Sequence, residues 1–392
     1  MSEEYFVDIA YRSINKDGEE LCGDKVEIIR EDNRNMIVMA DGLGSGVKAN
    51  ILSTLTSKIV ISMLEGGINI YETVDTVIHT LPVCKVRKLA YSTFTIAEIF
   101  EDGRTYIAEY DNPPIFLIRD GKLVDLKRRE TQISNTVVRE CNLTLQKNDL
   151  LAIVSDGVVH AGVGGILNLG WQWKNVGEYL CKVALKEKSA GKISKALIDT
   201  CEYLYGDKPG DDTTVVIAKI RKPEIVDLFT GPPKDSSNDA KTVENLMNGK
   251  GKKVVCGGTA AKIVARELGR EIITNMDFID PEVPPTAEIE GIDLVTEGVL
   301  TLSKAVEKIK RYINSPYKDN LFYSFNKNDG ASKLVRLLIE DCTHLNLWVG
   351  KAINPAHQNP DFPADLSIKL KVVQELVAEM KALGTKVNVI YV

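Results

Sequence analysis

Four aspartates, Asp24, Asp41, Asp156 and Asp211, stand in the settings Leu-Cys-Gly-Asp, Met-Ala-Asp-Gly-Leu-Gly-Ser-Gly, Ile-Val-Ser-Asp-Gly-Val and Gly-Asp-Asp-Thr-Thr-Val-Val. Each lies at the edge of a predicted strand. A carboxylate closing an apolar run such as Leu150-Leu151-Ala152-Ile153-Val154 loses hydration unless a cation or several donors replace the water. Mg²⁺ and Mn²⁺ meet that need with hard oxygen ligands, and a pair of such ions can activate one water for attack on phosphorus. The pattern therefore calls for a layered fold that carries these four strand edges to one place. Its expected chemistry is two-metal hydrolysis.

The first half alternates β-rich runs with turn signals: 5–12, 25–30, 35–40, 92–100, 105–110, 115–119, 149–155 and 213–220. Asp102-Gly103 and Asp120-Gly121 punctuate hairpins, because Asp-Gly supplies the positive φ that tight turns demand. Helical spacing predicts helices over 47–65, capped near Gly66-Gly67, and over 175–202.

Beyond Ile220 the texture changes. Pro223 and the Gly231-Pro232-Pro233 run predict a linker and a leading helix over 223–250, followed by an α/β domain over 251–392. In that domain strands are expected at 253–256, 287–290, 346–351 and 386–392. Helices are expected at 259–268, 301–312, 331–342 and 363–383.

The 49 basic and 55 acidic side chains give a formal charge of -6 without a long basic run, and only 6% of residues are aromatic, which argues against nucleic acid as a partner. Seven dispersed cysteines without a Cys-x-x-Cys pair read as reduced thiols in a cytoplasm. No uninterrupted apolar stretch reaches the roughly 18 residues of a membrane span, so membrane attachment is not expected. An oligomer is compatible with this composition.

Taken singly, each motif has a plainer reading. The run Asp41 to Gly46 can be an anion-binding turn or a strand-to-helix connection, and Asp156-Gly157 and Asp211-Asp212 can be ordinary turns. Taken together and in order, Leu-Cys-Gly-Asp24, Ala-Asp41-Gly42-Leu-Gly44-Ser-Gly46, Ser-Asp156-Gly157-Val and Gly210-Asp211-Asp212-Thr-Thr-Val-Val resemble the SpoIIE-type branch of the metal-dependent (PPM) serine/threonine protein phosphatases. The resemblance spans residues 1 to about 222. It implies a bacterial signalling enzyme with an α+β fold, an αββα sandwich of two packed antiparallel sheets flanked by helices, preceding the smaller α/β domain.

That resemblance also implies roles. Asp41 would bridge two Mn²⁺ or Mg²⁺ ions, with Gly42 as a ligand through its carbonyl or a bound water. Asp156 and Asp211 would hold the second ion, and Asp24 would orient bound water. A metal-bridging hydroxide would attack phosphoserine or phosphothreonine of a protein substrate, such as an antagonist of an anti-sigma factor in a partner-switching circuit. Arg12 and Lys25 are candidates for the phosphate grip, and His160 is either a general acid or a surface histidine. Two other readings stay open: a phosphatase fold that senses or scaffolds without turnover, and a hydrolase of a nucleotide or small phosphate ester.

In the C-terminal domain the strand, glycine turn and helix start at Val254-Val255-Cys256-Gly257-Gly258-Thr259 can hold an anion on free amides or simply pack tightly. Gly257, Gly258 and Thr259 are the candidate residues. Asp293, Glu297, His344 and His357 show no metal spacing and are expected to be structural.

Overall fold

The computed structural model describes residues 5–31, 33–80, 92–133, 136–274, 286–314, 329–352 and 368–392. The chain divides into two compact units, Met1–Lys222 and Pro223–Val392.

The N-terminal unit contains two antiparallel sheets. One runs β1 (Phe6–Ile14), β11 (Thr213–Arg221), β10 (Leu150–Val154), β6 (Phe116–Arg119), β7 (Lys122–Val124). The other runs β2 (Asp24–Arg30), β3 (Arg34–Gly42), β4 (Ser92–Phe100), β5 (Arg104–Tyr110), β9 (Thr136–Thr144), β8 (Arg129–Ile133). Alternating side chains divide the core into three apolar layers. Val7, Ile9, Ile37, Met39, Leu151, Ile153 and Val216 fill the space between the sheets. Met36, Val38, Phe94 and Ile96 face the helices α1 (Gly46–Glu65) and α2 (Ile70–Thr80) through Val60, Ile61, Val74 and Val77. Phe116, Ile118 and Ala152 meet α4 (Trp173–Lys186) and α5 (Ala190–Tyr205) through Val176, Leu180, Ile193 and Leu197. The result is the αββα sandwich expected from the sequence.

The hairpin turns form where Asp-Gly marks them, with φ of 49° at Asp120 and 70° at Gly121. The single helix expected over 175–202 is instead two. Glu187 turns extended, and Ser189 caps α5 by accepting from the Lys192 amide, so a serine that looks tolerable inside a helix starts a new one. The helix α2 and the strands β7, β8 and β9 were not anticipated. Among the described residues α1 alone has the length and apolar composition of a membrane-crossing helix. Its Ala49, Leu52, Thr56, Val60 and Ile61 are buried, in a helix packed on the second sheet.

The C-terminal unit is a doubly wound α/β layer. Its parallel strands run β16 (Leu294–Thr296), β13 (Lys252–Cys256), β12 (Ile225–Thr230), β17 (His344–Val349), β18 (Lys386–Tyr391), with the short antiparallel β15 (Ala287–Glu288) and β14 (Ile273–Thr274) beyond β16. The helices α6 (Asp239–Asn248) and α7 (Gly258–Leu268) cover one face, and α8 (Val299–Asn314), α9 (Gly330–Glu340) and α10 (Ile368–Ala382) the other. The beginning of the helix expected at 363–383 and His357 lie outside the described residues, as does Cys84.

This topology corrects the expected linker over 223–250. Residues 225–230 form the central strand of the sheet, hydrogen-bonded to β13 and β17, and α6 belongs to the same layer. The strand was hidden because Asp227 interrupts its short apolar run. That aspartate is buried and pairs with Lys253 at 2.6 Å, while Asn346 donates to its other oxygen at 2.8 Å. Asp227, Lys253, Asn346 and Asn388 occupy matched positions on four neighbouring strands, so one polar row fixes their register.

Breaking this row has a calculable cost. Asp227→Ala leaves the Lys253 ammonium buried without its counter-charge and is expected to destabilise the C-terminal unit by about 3–5 kcal/mol, whereas Asp227→Leu with Lys253→Met recovers most of the loss. Urea midpoints of the C-terminal transition for the three chains check this expectation.

Candidate active site

Three strand ends and one turn carry the aspartates. Asp24 opens β2 and lies directly opposite Asp41 near the end of β3, so two carboxylates occupy one rung of an antiparallel ladder. Asp156 follows β10 and opens the one-turn helix α3 (Asp156–Val159), and Asp211 and Asp212 immediately precede β11, the neighbour of β10. The Ser155 amide donates to the Thr214 carbonyl and Ser155 Oγ accepts from the Thr214 amide at 2.8 Å, which locks these two segments together.

Glycine makes the crowding feasible. A β-carbon added at Gly42 would lie 2.0 Å from the Ala49 carbonyl oxygen, and one at Gly157 would lie 2.2 Å from the Asp212 carbonyl oxygen. At Gly23 it would stand 2.7 Å from Asp212 Oδ2. At Gly42 and Gly157 another stretch of backbone passes too close for any side chain, and at Gly23 the Asp212 carboxylate takes that space.

The electrostatics follow from the crowding. Burial pushes the Asp41 carboxyl up to about 9, and the charges of Asp24, Asp156, Asp211 and Asp212 add to the effect. Burial likewise pushes Asp24 up to about 7. The nearby Thr214 and Ser155 hydroxyls oppose that rise, yet Thr214 Oγ1 donates to Ser13 Oγ and Ser155 Oγ approaches the Asp212 carbonyl. Both Asp24 oxygens and Asp212 Oδ2 are therefore buried without a hydrogen-bond partner. Asp211 is raised by burial and by Asp156. Burial also holds the Cys22 thiol well above its usual range, reinforced by Asp24 and Asp212, so it stays protonated beside the cluster.

Buried oxygens without donors, surrounded by like charge, suit a hard divalent cation. The donor set fits Mn²⁺ or Mg²⁺ in kind. Among the described residues, however, no three His, Cys, Asp or Glu side chains are already gathered around one point.

Asp24, Asp41, Gly42, Asp156 and Asp211 all come to this cluster. Asp212 is the residue that the motif reading passed over: it is 4% exposed, accepts from the Lys16 amide at 3.1 Å and is more buried than Asp211. Two adjacent aspartates look alike in sequence, and only the fold decides which faces inward. Arg12 lies within β1 opposite Val215, and Lys25 within β2 opposite Ala40. His160 is exposed at the end of α3.

Gly257, Gly258 and Thr259 belong to the other unit, at the start of α7. Gly257 has φ of 122° and donates its amide to the Thr296 carbonyl, and Gly258 faces open space. Asp293 accepts from the Lys253 amide, His344 Nδ1 lies 2.8 Å from Thr343 Oγ1, and Glu297 is exposed.

Residues 31–221 match the family model Stage II sporulation protein E (SpoIIE). No match was found among the curated proteins. The solved structures it resembles include the PP2C phosphatase domain and regulatory fragment of the cell fate determinant SpoIIE from Bacillus subtilis. That match has 20% identity, covers 55% of this chain and 64% of that one, and has a TM-score of 0.47. This chain thus spans just under two thirds of that structure's length. Another is the RsbU and RsbW domains of a Mycobacterium tuberculosis protein, at 17% identity, 63% and 68% coverage and TM-score 0.47. A third is RsbX in complex with magnesium, at 18% identity, 56% and 98% coverage and TM-score 0.41. Residues 31–221 therefore carry a SpoIIE family-model domain, of the PPM phosphatase family.

Proposed function

We propose that the N-terminal unit is a metal-dependent phosphatase acting on phosphoserine or phosphothreonine of a protein. One observation carries the reading: Asp24, Asp41, Asp156, Asp211 and Asp212 converge on a buried locus where the Asp24 oxygens and Asp212 Oδ2 have no donor. Asp41, Gly42, Asp156, Asp211 and Asp212 would hold Mn²⁺ or Mg²⁺, with Asp24 behind them. When bound, two such ions supply Lewis acidity toward phosphoryl oxygens and lower the pKa of a bound water.

The chain's own residues do the rest. Gly23, Gly42 and Gly157 let three backbone segments close on the locus, and the β2–β3 ladder keeps Asp24 opposite Asp41. The protonated Cys22 thiol offers no competing nucleophile. The SpoIIE family-model match supports a bacterial signalling role; the proposed substrate class is a phosphorylated antagonist of an anti-sigma factor, and the proposed location is the cytoplasm. The C-terminal unit is proposed as the docking or sensing module.

The competing reading is a phosphatase fold that senses without turnover. Turnover separates the two. The full chain with Mn²⁺ is expected to hydrolyse a chromogenic phosphate ester and a phosphoserine peptide. Asp41→Asn should lower kcat/KM at least about 100-fold, equivalent to about 2.7 kcal/mol of barrier. A loss smaller than about tenfold would sink the metal-site assignment.

Stability supplies an independent check. Asp24→Asn removes a buried charge that has no donor, so in chelator its Tm should lie about 2–4 °C above that of the unmodified chain. Added Mn²⁺ should stabilise the unmodified chain and do so less in the variant. Differential scanning calorimetry with and without metal reads both effects.

A further inference from the structure

The turn between β3 and α1 is built around a carboxylate that comes from elsewhere in the chain. Ser45 is the N-cap residue of α1 by position, with φ of -148° and ψ of 167°, yet its side chain makes no bond to the helix amides. Its hydroxyl donates instead to Glu19 Oε1 at 2.8 Å. Gly46, the first helical residue, has φ of 65°, and a β-carbon there would lie 2.2 Å from Glu19 Oε2. The first turn of α1 contains no acidic residue of its own. A 20-residue helix carries about half a positive charge at its N-terminus, and Glu19 is the carboxylate that stands beside that end.

Glu19 sits on the loop between β1 and β2, which also reaches the opposite side of the carboxylate cluster. In that loop the Lys16 amide donates to Asp212 Oδ1 at 3.1 Å, and the Asp17 amide donates to the Pro209 carbonyl at 2.8 Å. Farther along, Asn50 of α1 donates to the Cys22 carbonyl, and the Gly42 amide donates to the Gly23 carbonyl. One loop therefore connects the turn after Asp41-Gly42 with the turn that carries Asp211-Asp212. At the α1 end its charged contact is Glu19.

We propose that Glu19 is a positioning residue for the metal locus: by holding the start of α1 through the Ser45 hydroxyl it fixes the Asp41-Gly42 turn against the Asp211-Asp212 turn and so sets the affinity for the divalent ion. The inference rests on the metal-site reading above. Glu19 itself is not a ligand; it acts through the helix and the loop. Losing it frees the start of α1, and the two halves of the cluster must then be ordered by the ion, which weakens binding.

The test uses the full chain and Mn²⁺, with Glu19→Ala, Ser45→Ala and the double variant compared by isothermal calorimetry and by Tm in chelator. Each single variant is expected to raise the Mn²⁺ Kd about fivefold, the scale of a helix-terminus charge contact. The double variant should show little more than either single one, because both break the same contact. A loop that only packs would lower Tm and leave the Kd within twofold of the unmodified chain, and that result overturns the proposal, as do additive effects. Calorimetry reads metal uptake whether or not phosphate esters are hydrolysed. A chain that binds Mn²⁺ yet hydrolyses nothing sinks the phosphatase reading alone. An active chain whose variants bind normally sinks this inference alone. No uptake by the unmodified chain overturns both.

Discussion

Mutual repulsion among buried and half-buried carboxylates is the constraint around which the N-terminal unit is arranged. Asp24 and Asp41 face each other across one rung of β2 and β3, and Asp156, Asp211 and Asp212 approach from β10 and β11 in the other sheet. Such a cluster opposes folding unless a rigid backbone holds it. The rigidity comes from the apolar layer of Ile37, Met39, Leu151, Ile153 and Val216 between the sheets, with helices packed outside. Apolar burial thus sustains a polar centre that burial alone would reject.

Glycine and the β1–β2 loop convert that support into a defined geometry. Gly23, Gly42 and Gly157 each stand where a β-carbon would strike another segment, so each leaves room for the segment that packs beside its aspartate. Glu19 and Lys16 reach opposite ends of the same loop's contacts, one at α1 and one at Asp212. Ladder, turn and helix terminus act as one frame around the locus.

The C-terminal unit solves a similar problem by pairing. Asp227 and Lys253 are buried side by side in the middle of a parallel sheet, and Gly249, Gly251 and Asn346 satisfy their remaining groups. Here charge meets opposite charge, and no ion is needed. The contrast between a paired buried carboxylate in one unit and unpaired ones in the other distinguishes a structural centre from a chemical one.

Much of this was legible in the sequence. Alternating apolar residues and Asp-Gly turns indicated a β-rich layered domain, because strand period and turn chemistry are local properties, and the resemblance carried by the ordered aspartate motifs implied the antiparallel sandwich and the residues it would gather. The break between α4 and α5 at Ser189 was not legible, since serine tolerates both a helix interior and a cap. Nor was the central strand β12, whose Asp227 looks like a surface residue until Lys253 and Asn346 come beside it. The choice between Asp211 and Asp212, and the pairing of the Ser45 hydroxyl with Glu19 rather than with the α1 amides, were decided only in three dimensions. The motif residues announced themselves because each carries its own local signal of strand, glycine and carboxylate. Glu19 and Asp212 acquire their meaning only when segments distant in the chain are brought into contact.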